Sequence, residues 1–67
     1  MYYLNCYGRV YRLDHSRYMQ VLQKLAAGES FNLADYGQDW TVLCIPGPII
    51  DIGTMTREEA QQRIGGF

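Results

Sequence analysis

Residues 2–14 read YYLNCYGRVYRLD and contain four of the six tyrosines in the chain. Aromatic and β-branched residues favour strands, and Gly8 lies near the middle of the run, where a hairpin needs its turn. A two-residue loop at Gly8 and Arg9 fits a type II′ turn, which places glycine first. The stretch therefore predicts a β-hairpin over residues 2–13.

That loop assigns the hairpin side chains to two faces, because side chains alternate along a strand and opposite partners share a face. The first set is apolar and is expected to face the core: Tyr2, Leu4, Cys6, Tyr11 and Leu13. The second set mixes aromatic and polar groups and is expected to face away from the core: Tyr3, Asn5, Tyr7, Val10 and Arg12. In this register Tyr7 pairs with Val10, and a shift of one residue would reverse every assignment.

A helix is predicted directly after the hairpin, over residues 15–27. Asp14 is placed to act as its N-cap, and Gly28 stands where a left-handed residue ends a helix. Leu13 and Tyr18 occupy the two positions of a hydrophobic staple. Apolar residues then recur at helical spacing and form one stripe: Tyr18, Val21, Leu22 and Leu25.

The middle of the chain predicts a connector and two further strands. Within residues 29–39, three apolar residues are expected to attach the connector to the core, with Gly37 at a turn: Phe31, Leu33 and Tyr36. Residues 40–45, WTVLCI, are apolar on both faces, which is typical of a buried central strand containing Trp40 in the core. Residues 49–52 form the next strand, which Pro48 places at a sheet edge.

A second helix is predicted over residues 57–64. Thr56 and Glu59 match a capping box, and Gly65-Gly66 ends the helix. Ala60, Ile64 and Phe67 are expected to line one side. The order β-β-α-β-β-α predicts one α+β domain over residues 1–67, with a mostly antiparallel sheet and both helices on one face.

Charge and composition exclude several classes of protein. The chain has 67 residues, a net charge of −1 and 48% hydrophobic residues. Because the six basic residues are scattered, direct nucleic-acid binding and a polybasic membrane patch are both disfavoured. The chain start shows no signal-peptide pattern and no apolar stretch is long enough to span a bilayer, which favours a cytoplasmic protein without membrane attachment.

Residues that carry out catalysis or bind metals are sparse. Cys6 and Cys44 form no C-x-x-C pair and His15 is the single histidine, so the chain predicts no metal site and no cofactor. His15 next to Asp14 fits a helix start better than a catalytic pair. Cys6 and Cys44 are expected to be reduced, buried thiols, with a disulfide between them as the alternative.

A binding role fits the hairpin better. Tyrosine and arginine are over-represented at interface hot spots, and the second hairpin face carries both. The alternative is that the second helix or the connector simply covers this face. The predicted partner-binding residues are Tyr3, Asn5, Tyr7, Arg9 and Arg12.

Residues 10–37, VYRLDHSRYMQVLQKLAAGESFNLADYG, carry a wider pattern: Tyr-Arg-Leu, a helix with Tyr and Leu spacing, Ala-Ala-Gly-Glu and Asp-Tyr-Gly. This pattern resembles short uncharacterised bacterial and phage proteins. The resemblance assigns no functional residue. It implies a setting in phages, prophages or plasmids, where small acidic proteins such as the anti-CRISPR proteins bind and block a host machine.

Together these features predict a non-enzymatic binding protein that inhibits or adapts a host protein or nucleoprotein complex, in an anti-CRISPR-like form of host-defence evasion. One alternative is an accessory subunit that self-associates, for example as a homodimer, through the hairpin or the 49–52 strand. A second alternative is a small thiol-dependent enzyme that uses Cys6 or Cys44.

Overall fold

A computed structural model describes residues 1–65 and shows a four-stranded sheet with two α-helices. The strands are β1 (Tyr2–Cys6), β2 (Arg9–Leu13), β3 (Gln38–Asp39) and β4 (Ile49–Asp51), in the spatial order β3-β2-β1-β4. The helices are α1 (His15–Ala27) and α2 (Arg57–Gly65). Single 3₁₀ turns lie at Leu33–Asp35 and Val42–Cys44. The predicted α+β class and the element order β-β-α-β-β-α are confirmed.

The hairpin forms, but its loop lies one residue earlier than predicted. Cys6 pairs with Arg9, so the two loop residues are Tyr7 and Gly8, and Tyr7 does not pair with Val10. The observed register pairs all five residues of β1, starting with Tyr2 opposite Leu13. The predicted register would have matched Tyr2 with a residue of α1, where no strand is available.

This correction shifts the register by two residues, which leaves each strand residue on its predicted face because side chains alternate with a period of two. Arg9 is the exception: it was assigned to the loop and now lies in β2, on the same face as Cys6. Tyr7 lies on neither face. The predicted inner set is otherwise correct, with Leu4, Tyr11 and Leu13 buried.

The core lies between this inner face and the two helices, which pack against each other. The predicted stripe of α1 is confirmed, since Tyr18, Val21 and Leu22 are buried and Leu25 packs beside them. The ring of Tyr2 stacks on that of Tyr18 with centroids 4.1 Å apart. From the rest of the chain the core takes four further buried residues: Leu33, Ile52, Met55 and Ala60.

The helix ends follow the predicted capping residues. Asp14 accepts a hydrogen bond from the Arg17 N–H at 2.8 Å, and Gly28 ends α1 with a φ of 74°. Thr56 Oγ1 accepts from the Glu59 N–H at 3.2 Å at the start of α2. Helix α2 reaches Gly65, one residue beyond its predicted end. The predicted roles of Gly66 and Phe67 lie outside the described residues.

The connector also behaves as predicted, because Leu33 is buried and Phe31 and Tyr36 pack against the core. Its last two residues form β3, a short strand that was not predicted there and that pairs with β2. Gly37 precedes β3 at a close approach: a Cβ there would lie 2.6 Å from the Arg12 carbonyl oxygen.

Residues 40–45 do not form the predicted buried strand. They contain only the 3₁₀ turn at Val42–Cys44, and the side chains of Val42, Leu43 and Cys44 are exposed. Trp40 is half-buried rather than enclosed in the core. Strand β4 lies at an edge as predicted, but it runs parallel to β1 instead of pairing with residues 40–45.

The strand order explains this difference. Strands β3 and β4 lie at opposite edges, so the chain between them, residues 40–48, has to cross the sheet. The helices already cover the inner face, and the crossing therefore begins on the outer face. The backbone N–H of Trp40 donates to the Val10 carbonyl, and the Trp40 ring lies 5.1 Å from the Arg12 guanidinium carbon. Val10, on the same outer face as Arg12, is buried. We call residues 40–48 the crossover segment.

Candidate functional site

The turn of the hairpin places a tyrosine in an unusual backbone conformation. Tyr7 has a φ of 50° and Gly8 a φ of 87°, the pair of positive angles that a type I′ turn requires. Tyr7 is the single non-glycine residue with positive φ within residues 1–65. Bulky side chains disfavour this region, and type I′ turns normally select asparagine, aspartate or glycine at this position.

Tyr7 gains little from packing to offset that conformation, because its side chain is 85% exposed. A left-handed non-glycine residue costs on the order of 1 kcal/mol or more. The turn therefore presents an aromatic ring to solvent at an energetic cost to the fold. Arg9, two residues later, is also exposed. We call Tyr7, Gly8 and Arg9 the hairpin tip.

The five predicted partner-binding residues do not form one surface. Tyr7 and Arg9 lie at the hairpin tip. Tyr3, Asn5 and Arg12 are half-buried on the outer face of the sheet, where Arg12 contacts the Trp40 ring. Trp40, the first residue of the crossover segment, covers part of that face.

An open groove of about 350 Å³ lies beside the hairpin tip. Tyr7 and Cys6 line one side, and the end of α1, the connector and the residues after β4 line the rest. Its apolar walls come from Leu25, Phe31, Ile52 and Met55, with Glu29 and Ser30 as polar groups. The exposed ring of Tyr7 thus borders a partly apolar groove.

Cys6 forms part of this groove and is half-buried. Burial raises the pKa of its thiol, and the nearby Asp51 carboxylate raises the pKa further. A catalytic thiol needs the opposite shift, because the thiolate is the nucleophile. Cys44, predicted to be buried in a strand, is instead exposed on the crossover segment. Both cysteines are free thiols.

These settings predict different rates of alkylation at the two thiols. At pH 7.5, iodoacetamide should modify Cys44 at least about tenfold faster than Cys6, since burial and a raised pKa both suppress the Cys6 thiolate. The rate at Cys6 should continue to rise as the pH is increased above 8. Mass spectrometry of quenched samples measures both rates, and a Cys44→Ser variant isolates the slow site. Faster reaction at Cys6 would contradict this description and revive the thiol-enzyme alternative.

His15 has a structural explanation. Its Nδ1 lies 3.0 Å from the Tyr2 hydroxyl, and Asp14 is engaged by Arg17 instead. No group of three or more histidine, cysteine or acidic side chains within residues 1–65 could hold a metal ion. Neither of the helices in that range is sufficiently long and apolar to cross a bilayer.

The exposure of the crossover segment was not predicted from the sequence. Leu43 is 94% exposed and Val42 is 56% exposed, although both belong to the most apolar run of the chain. No signal in the sequence distinguishes such a run on the surface from one in a buried strand, because both lack periodicity.

Comparison of the chain with protein-family models, with curated proteins and with solved structures found no match.

Proposed function

We propose that this chain is a non-enzymatic binding protein that attaches to a larger protein or nucleoprotein complex through its hairpin tip and blocks or adapts it. The exposure of Tyr7 in a left-handed conformation is the observation that carries the proposal. An outlier of this kind costs stability, and such residues cluster at functional sites. Tyrosine is also a common interface anchor, because it buries a large area at a low entropy cost.

The surroundings of Tyr7 support a protein partner. Arg9 supplies a cation that can donate several hydrogen bonds, and the adjacent groove supplies apolar surface and the Glu29 carboxylate. Direct nucleic-acid binding fits less well. The net charge is −1, and Arg9 is the single basic residue of the hairpin tip, whereas phosphate recognition needs several clustered cations.

The biological setting of the proposal comes from the resemblance to short phage and bacterial proteins. In that setting the protein would act in the host cytoplasm as an anti-CRISPR-like inhibitor or as an adaptor of a host complex. Two free thiols are compatible with a reducing compartment. Inhibition by occlusion would require a contact surface and no catalytic group.

The hairpin tip predicts an unusual pair of effects for Tyr7→Asn. Asparagine is preferred at the first loop position of a type I′ turn. The free energy of unfolding of the variant should therefore exceed that of the parent by about 0.5–1 kcal/mol. Loss of the ring should weaken partner binding by more than about 1 kcal/mol, the threshold for an interface hot spot. Denaturant unfolding measures the first effect.

Affinity capture from bacterial host lysate measures the second effect, with the parent chain and Tyr7→Asn as parallel baits. A protein recovered by the parent and lost by Tyr7→Asn supports the proposal, because the variant is folded at least as stably. Tyr7→Ala provides a second comparison, with a nearly unchanged fold and the same loss of binding. Equal recovery by the parent and both variants would remove Tyr7 from the interface and with it the proposed function.

A further inference from the structure

The outer edge of β4 has no neighbouring strand within residues 1–65. Natural proteins usually protect such edges with short strands, prolines or charged side chains, because free backbone groups pair readily with another chain. β4 is short, with Pro48 before it and Asp51 at its end, so the protection is partial: Ile49 and Ile50 carry no charge. We propose that two copies of this chain pair through β4, antiparallel about a two-fold axis centred on Ile50. The inference is independent of the hairpin tip.

The backbone of β4 has a defined outward side. The Ile52 N–H donates to the Asn5 carbonyl of β1 at 2.9 Å, and Asp51 is the residue aligned with Asn5. Backbone groups of a strand alternate between its two neighbours, so Ile50 and Ile52 face β1. The N–H and C=O groups of Ile49 and Asp51 therefore face away from β1, toward the open edge.

A two-fold axis at Ile50 uses all of these outward groups. In an antiparallel pair, residues that face the partner strand exchange both of their backbone hydrogen bonds. Centring on Ile50 places Ile49 opposite Asp51 of the second copy, twice, which gives four hydrogen bonds. A two-fold axis at Ile49 would place Ile49 opposite Ile49 of the second copy. That would be the only such pair within β4, and it gives two hydrogen bonds.

Charge selects the same register. An axis at Asp51 would place two carboxylates directly opposite each other, and like charges in that position are destabilising. The Ile50 register instead faces each Asp51 with the Ile49 side chain, which is 40% exposed in the single chain. The uncharged crossover segment leads into β4 and adds no repulsion between the copies. Backbone hydrogen bonding thus favours the Ile50 register for a second copy of the chain, and this register also avoids a contact between like charges.

Pairing through β4 would join the two sheets into one of eight strands and give the assembly two hairpin tips. Three residues per strand bury a small area, so we expect a weak, concentration-dependent dimer. Sedimentation equilibrium between about 10 µM and about 1 mM covers the range in which such a dimer forms. The parent chain should change from monomer to dimer over this range. A strict monomer at the highest concentration would overturn the inference.

Two substitutions of one residue test the register itself. Ile49→Lys places a cation opposite Asp51 of the second copy, and Ile49→Glu places a carboxylate there. The dimer Kd of Ile49→Glu should exceed that of Ile49→Lys by about tenfold or more at low salt, and added salt should narrow the difference. Equal Kd values would overturn the Ile50-centred register. A nonspecific apolar contact at Ile49 would be weakened to the same extent by a lysine and by a glutamate.

Amide hydrogen exchange on the parent chain provides a test that needs no variant. On raising the concentration, the amides of Ile49 and Asp51 should gain protection, while the Ile50 amide, already directed at β1, should change little. Protection that appears instead at Val42 and Leu43, with none at Ile49 and Asp51, would place the interface on the crossover segment and overturn pairing through β4.

Discussion

Leu22→Ala should lower the free energy of unfolding by about 2–5 kcal/mol, the usual range for removing a buried leucine side chain. Leu22 is 0% exposed and lies in the α1 stripe that packs on the sheet. A chain of 67 residues has a total stability of only about 3–10 kcal/mol, so the substitution should remove a large fraction of that stability. Urea denaturation followed by circular dichroism measures the change in midpoint.

Leu43→Ala is the matched control, because the substitution is the same and the environment is opposite. Leu43 is 94% exposed on the crossover segment. The free energy of unfolding of Leu43→Ala should therefore differ from that of the parent by less than about 0.5 kcal/mol. The comparison also tests whether residues 40–45 are exposed, as in the structure, or form the buried strand that their sequence predicts. A cost at Leu43 equal to that at Leu22 would show that residues 40–45 are buried after all.

Gly37→Ala should destabilise the fold by about 1–3 kcal/mol, the cost of forcing extra volume into a packed site. The added Cβ would lie 2.6 Å from the Arg12 carbonyl oxygen and 2.8 Å from Leu13 Cδ1. Backbone cannot move aside as a side-chain end can, so β2 and β3 would have to separate. Thermal unfolding should therefore show a clear loss of Tm.

Gly47→Ala is the control for this effect. A Cβ at Gly47 meets no atom within 4 Å, and the residue is not in the left-handed region. We expect its stability to stay within about 0.5 kcal/mol of the parent, or to rise slightly as the unfolded chain loses entropy. If Gly37→Ala were as stable as Gly47→Ala, Gly37 could not lie as close to β2 as described.

The sequence predicted the helices almost to the residue. The signals for α1 lie within a few positions of its ends: Asp14 as N-cap, Gly28 as the left-handed end residue, and the apolar stripe between them. Thr56 and Glu59 define the start of α2 in the same way. Such signals are readable because the interactions that they describe are local.

The hairpin was predictable for a related reason. Alternation along a strand identifies its apolar face even when the loop is misplaced, provided that the error is an even number of residues. The loop itself was not predictable, because tyrosine is a poor residue for the conformation that Tyr7 adopts. The exposure of Tyr7 and Arg9 follows from their place at the tip, whereas the contact of Arg12 with Trp40 depends on a segment distant in sequence.

Local patterns thus determined which residues form the two helices, the hairpin and the inner face of the sheet. Only the tertiary structure decided that β4 lies parallel to β1 and that residues 40–48 join strands at opposite edges of the sheet. An apolar run indicates that its side chains favour burial. It does not indicate whether the core has room for them. Here the helices already fill the inner face and β3 and β4 occupy opposite edges, so the chain that joins them leaves Leu43 in solvent.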